Sequence, residues 1–112
     1  MASAQECERA LRGLAARMSQ MDSDVRKRHS IDRSLSCRLP DIDADFSGRL
    51  EDGTVHGLVA QADPAAQIKL TVASDDLVAL TEGRLNFATA WATGRLRVDA
   101  NMFDLLKLRS LL

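Results

Sequence analysis

Residues 68–112 read IKLTVASDDLVALTEGRLNFATAWATGRLRVDANMFDLLKLRSLL, and the punctuation of this stretch decides the fold. Ile68, Leu70 and Val72 alternate with Lys69, Thr71 and Ala73, the period of a strand with one buried face. Ser74 stands at an N-cap position, with Asp75 and Asp76 beside the positive end of a helix dipole. Leu77, Val78 and Leu80 follow, and Gly83 offers a left-handed stop. Asn86 is placed to cap a shorter helix, FATAWAT, which Gly94 ends. Leu96 and Val98 alternate with Arg95, Arg97 and Asp99, the pattern of another strand. Asn101 is placed to cap a last helix. The expected elements are strands over 67–73 and 95–100 and helices over 75–82, 87–93 and 102–112.

Upstream, Leu35, Cys37 and Leu39 alternate with Ser36 and Arg38, so 34–39 reads as the first strand. Pro40-Asp41 turns the chain. Strands over 43–50 and 54–61 are joined by Asp52-Gly53, a strong hairpin signal. With those two residues as the loop, Glu51 pairs with Thr54, Leu50 faces Val55, Gly48 faces Gly57 and Phe46 faces Val59. On the other face Arg49 pairs with His56 and Ser47 with Leu58. A slip of one residue would turn the apolar set outward, which fixes the register. The facing glycines leave a gap that either makes room for a ligand or marks a bend or a closely packed helix.

The N-terminal segment opens with a capping box, Ser3 and Glu6. Cys7, Leu11, Leu14 and Met18 then line one face of a helix over 4–20. Gly13 within it weakens the helix by about 1 kcal/mol relative to Ala. Residues 22–33 are mostly polar, with a short helix capped by Asp22 or Ser23. Arg26, Lys27, Arg28 and His29 there form either a headgroup or phosphate contact or a solvated connector.

The chain has 112 residues, enough for one domain over 1–112 with a single core. Its 15 basic and 16 acidic side chains nearly cancel, so no nucleic-acid partner is expected. No long apolar run marks a leader or a membrane anchor, and the ending Ser110-Leu111-Leu112 is not a peroxisomal address. A cytoplasmic location with at most transient membrane contact follows. Cys7 and Cys37 lie in different elements and read as reduced thiols.

The chemistry-bearing residues form no constellation. His29 lies in the connector and His56 on the outer sheet face, and there is no tyrosine. Nucleophile elbows, phosphate loops, dinucleotide fingerprints and metal-ligand spacings are all absent. Asp75 and Asp76 are accounted for by their place in a helix first turn. Neither an enzyme nor a metal or other cofactor is expected. What remains is an apolar compartment. Phe46 from the sheet, Phe87 and Trp91 one helical turn apart, and Phe103 on the last helix can all be turned toward it. The last helix is apolar almost all round, with Met102, Leu105, Leu106, Leu108 and Leu112 in one broad stripe and Phe103 and Leu111 outside it. A helix apolar on more than one side is covered on more than one side, by a ligand, a partner subunit or a larger core.

The strand into S-D-D-L, the G-x-L-N-x-x-x-A-W-x-x-G element and R-L-x-V-x before an amphipathic closing helix resemble the sterol carrier protein type-2 family. The resemblance implies an α+β fold: a mixed five-stranded sheet in the order 3-2-1-4-5, helices on one face, and an apolar cavity between them. By position it implies a tunnel walled by Leu77, Leu80, Phe87, Trp91, Met102, Phe103 and Leu106, to which the inward reading of Phe46 adds the sheet side. The ligands it implies are sterols, fatty acids or fatty acyl-CoAs, bound without catalysis. This chain departs from the family's closing G-D/N-M-x-x-A-M-K-L, reading A-N-M-F-D-L-L-K-L instead. Bulkier residues there narrow or close the tunnel. The alternative is an interaction module with a filled cavity that forms a homodimer through the last helix.

Overall fold

A computed structural model describes residues 1–20, 32–51 and 54–110. The short helix expected near Asp22 or Ser23 and the Asp52-Gly53 turn lie outside the described residues. Helix α1 spans Ala4–Ser19. Strands β1 (Arg33–Leu39), β2 (Ala44–Glu51), β3 (Thr54–Val59) and β4 (Ile68–Val72) follow. Helices α2 (Ser74–Thr81) and α3 (Phe87–Ala92), strand β5 (Leu96–Asp99) and helix α4 (Met102–Ser110) complete the order. The sheet runs β3-β2-β1-β4-β5. Among the described strands only β1 and β4 pair in parallel, with Leu35 beside Ile68 and Cys37 beside Leu70, so the sheet is mixed.

The helix punctuation acts largely as the sequence suggests. Ser3 and Glu6 form a reciprocal capping box, Ser3 Oγ accepting from the Glu6 amide and Glu6 Oε1 from the Ser3 amide. Asn86 accepts from the Thr89 amide and Asn101 from the Asp104 amide. Gly83 and Gly94 end α2 and α3 at φ of 77° and 80°. Ser74 is different. It is the first residue of α2, and the cap position falls to Ala73 with no side-chain cap bond. The Ser74 hydroxyl is drawn off to Asp41 Oδ2, while Asp41 Oδ1 accepts from the Ser74 amide at 2.9 Å. A carboxylate from the β1–β2 turn thus does the capping from 33 residues away.

The hairpin keeps the expected register for its first three pairs, Glu51 with Thr54, Leu50 with Val55 and Arg49 with His56. Beyond them it departs. Ser47 pairs with Val59, not Leu58, across an irregularity between Ser47 and Arg49. Gly57 at φ 62° supplies the left-handed residue of a bulge, so two residues of β3 oppose Gly48. Gly48 and Gly57 are therefore not a facing pair, and Val59 shares the outer face with Ser47 while Phe46 points inward. The expected gap for a ligand is absent here. A Cβ on Gly48 would stand 3.0 Å from the His56 carbonyl, so the two backbones fill that space themselves. The bulge also returns Leu58 to the core side. Gly57→Ala should cost about 1–2 kcal/mol through its left-handed backbone, whereas Gly13→Ala, with open space around its Cβ and a helical backbone, should be neutral or stabilising. Urea denaturation of the two variants tests this, and equal stabilities would contradict the bulge.

Arg38, Arg49, Lys69 and Arg97 share the outer face of the sheet. Arg38 bridges Asp43 and Asp45, and Arg49 pairs with Asp32 and Glu51. The inner face is apolar except at Arg33, which meets Asp104 at the start of β1. One part of it, Cys37, Leu39, Phe46, Val72 and Leu96, packs with Cys7 of α1, Leu77 of α2 and Ala90 of α3. The other part centres on Leu50 and Ile68 and packs with Leu35, Val55 and Ala100.

Candidate functional site

Leu70 and Val98 pair across β4 and β5 and pack against both of these clusters. They mark the seam between the half of the sheet that α1, α2 and α3 cover and the half near the start of β1 and β4. Phe46 is 2 % exposed and Leu77 6 %. Leu80 and Phe87 are half-buried and pack on the same cluster, and Trp91 is half-buried one turn from Phe87. The structure thus brings Phe46, Leu77, Leu80 and Phe87 together over one region of the inner face. Neither Leu70 nor Val98 was singled out by sequence reasoning. Their signal is strand alternation, which marks the inward face but does not rank positions along it.

Met102, Phe103 and Leu106 are placed otherwise. They are 72 %, 83 % and 59 % exposed, on the outside of α4. The cause is Asp104. Its carboxylate is 2 % exposed and accepts from Arg33 Nε at 3.1 and 3.0 Å through its two oxygens. A helix that turns residue 104 to the sheet turns 102, 103 and 106 away from it. Met102 and Leu106, two members of the broad stripe expected of this helix, are accordingly off its packed face. Leu105 is half-buried beside Asp104.

Polar groups close the opposite end of the molecule. Ser74 is fully buried, accepts from the Ala2 amide at 3.0 Å and donates to Asp41. The Ser74 hydroxyl holds the Asp41 carboxyl below the usual carboxylate range. Cys7 and Cys37 are free and buried, and burial pushes the Cys37 thiol up to about 12. A groove of about 260 Å³ runs between α1 and α2, but Glu6, Arg9, Arg17 and Glu82 give it a polar rim. His56 lies on the outer face opposite Arg49. Among the described residues no set of His, Cys, Asp and Glu is arranged to hold a metal ion, and no helix is long and apolar enough to cross a membrane.

The profile of the SCP-2 sterol transfer family matches residues 14–112, and the chain belongs to that family. No curated protein sequence matches it. Its fold is shared by sterol carrier protein 2 like 2 from Aedes aegypti, at TM-score 0.70 and 15 % identity over 96 % of this chain and 97 % of that one. Sterol carrier protein 2 of the same organism, in complex with palmitate, superposes at TM-score 0.67 and 20 % identity, over 99 % and 96 % of the two chains. The stereoselective inverting sec-alkylsulfatase Pisa1 from Pseudomonas sp. contains the fold at TM-score 0.60 and 21 % identity. That match covers 85 % of this chain but only 15 % of the sulfatase. Lipid binding or transfer is the class of activity that family and fold together support.

Proposed function

We propose that the protein is a non-enzymatic, cytoplasmic lipid carrier that binds one long-chain fatty acid or a related acyl amphiphile. The acyl chain lies on the inner sheet face at the Leu70–Val98 seam, and Phe46, Leu77, Leu80, Phe87 and Trp91 wall the region above it. The observation that carries this reading is the apolar floor, which continues past the part packed by α1, α2 and α3. The palmitate complex of the mosquito protein supports an acyl chain as the ligand. Binding of this kind rests on apolar burial at about 0.8 kcal/mol per methylene, which a long chain supplies and a short one does not. Exchange of the ligand proceeds through displacement of α4.

The test is a palmitate titration of delipidated protein followed by Trp91 fluorescence. A saturable change at micromolar concentration is expected. Leu70→Trp fills the seam. With an open site it should cost under about 1 kcal/mol and abolish palmitate binding, whereas overpacking a solid core costs about 1–3 kcal/mol. Loss of stability in the variant, together with no palmitate binding by the parent, would refute the carrier reading.

A further inference from the structure

Arg33 interrupts the apolar inner face at the start of β1, opposite Leu50 and in the half of the sheet that centres on Leu50 and Ile68. Cys37, further along β1, pairs with Leu70 of the seam, which puts Arg33 about 13 Å from the seam at about 3.3 Å per residue. A long acyl chain lying on the Leu70–Val98 seam spans that distance and brings its head group to the guanidinium. Arg33 is not fully used. Its Nε donates to both oxygens of Asp104, at 3.1 and 3.0 Å, and Nη1 donates to the Asp32 carbonyl at 2.8 Å. Among the described residues Nη2 has no partner. One N–H shared between two oxygens falls short of the two parallel bonds that a guanidinium offers a carboxylate. The Arg33 side chain is 35 % exposed and that of Asp104 only 3 %. A carboxylate coming along the sheet therefore meets Arg33 first and can take Nε and Nη2 together.

We infer, resting on the carrier reading above, that the Arg33–Asp104 pair is a latch on α4 that the carboxylate of a bound fatty acid releases. The acid group displaces Asp104 from Arg33 Nε and forms the bidentate pair in its place. Asp104 is then charged and without a partner at a buried position, which is strongly unfavourable, so it moves out to water and carries α4 with it. The Asn101 cap bonds within the moving element, to the Asp104 amide, and survives the step. Loading with an acid and release of α4 are thus one coupled equilibrium. By linkage, whatever weakens the hold of Asp104 on Arg33 raises the affinity for the carboxylate. An uncharged acyl ligand of the same length has no group to compete for Arg33, so it does not shift α4.

The experiment compares palmitate with hexadecanol, its uncharged counterpart of equal chain length, on the full chain, by titration and by amide exchange across α4. The parent should bind palmitate at least about tenfold more tightly, the effect of an added charge-assisted pair. Exchange in α4 should speed up at least about tenfold with palmitate and keep the rate of the unliganded protein with hexadecanol. Asp104→Asn removes the competing charge and should widen the preference for palmitate, a change that a merely structural pair would not produce. Arg33→Met with Asp104→Leu replaces the pair by apolar groups and should bring the two affinities within about threefold of each other. Equal binding of the two ligands by the parent would overturn the inference and leave the carrier reading standing. A palmitate preference with α4 exchange unchanged, or one that Asp104→Asn fails to widen, would do the same. Binding of neither ligand would remove the carrier reading and the latch with it.

Discussion

Phe46→Ala should lower the unfolding free energy by about 3–5 kcal/mol. Phe46 is 2 % exposed and faces Cys37 across β1. Its neighbours in the core come from every layer: Leu39 and Val72 from the sheet, Leu77 from α2, Ala90 from α3. Removing the ring deletes apolar burial and leaves a cavity that strands β1 and β2 are too rigid to collapse. The chain has only 3 phenylalanines and one tryptophan, so no other aromatic stands ready to fill the space. A domain of this size is stable by about 5–15 kcal/mol, so the variant should be marginal at best. Phe46→Leu should recover more than half of the loss. Urea denaturation read by Trp91 fluorescence measures both. A cost under about 1 kcal/mol for the alanine would mean that the inner face is not packed at Phe46.

Arg33→Ala should cost about 3 kcal/mol, the low end for breaking a buried ion pair, because the Arg33 side chain is itself 35 % exposed. The Asp104 side chain, at 3 %, is then left charged and without its partner. The first consequence should be local. Amide exchange across α4 should speed up well before the sheet loosens, because this pair fixes the helix to the start of β1. Arg33→Met combined with Asp104→Leu should restore much of the stability, since apolar pairs commonly replace buried ion pairs without loss. If Arg33→Ala stays within about 0.5 kcal/mol of the parent, the pair does not hold α4 in place.

These two residues also show what was legible in the sequence. Phe46 reads as inward from strand alternation and from its place before a strong turn, because period and turn chemistry are local. The same local signals yielded the element order, the caps at Ser3, Asn86 and Asn101, and the first three hairpin pairs. The strand order came from the resemblance, not from periodicity. The misplacements share a different cause. Asp104 is 71 residues from Arg33, and no spacing rule anticipates that pair. The resemblance implies Met102, Phe103 and Leu106 on the tunnel wall, whereas this pair leaves all three turned outward. Ser74 has the right type and position for a cap, but Asp41, 33 residues earlier, competes for its hydroxyl. The bulge was within reach. A glycine inside a strand is a bulge signal, and Gly57 was read instead as half of a facing pair.

The site follows the same division. Leu77 and Leu80 are implied by the resemblance and Phe87 also by its spacing with Trp91, and the three gather on the core with Phe46. The Leu70–Val98 seam depends on where one packed cluster ends and the next begins, which is a property of the assembled layers.

In the proposed complex an acyl chain lies inside the molecule, on the inner face of the sheet. Isotope-filtered nuclear Overhauser contacts between unlabelled palmitate and methyl-labelled protein locate it. Contacts are expected from the acyl chain to the methyls of Leu70, Val98, Leu77 and Leu80, at one palmitate per chain, with none to Met102. Contacts confined to Met102 and Leu106, or none at saturating palmitate, would contradict it.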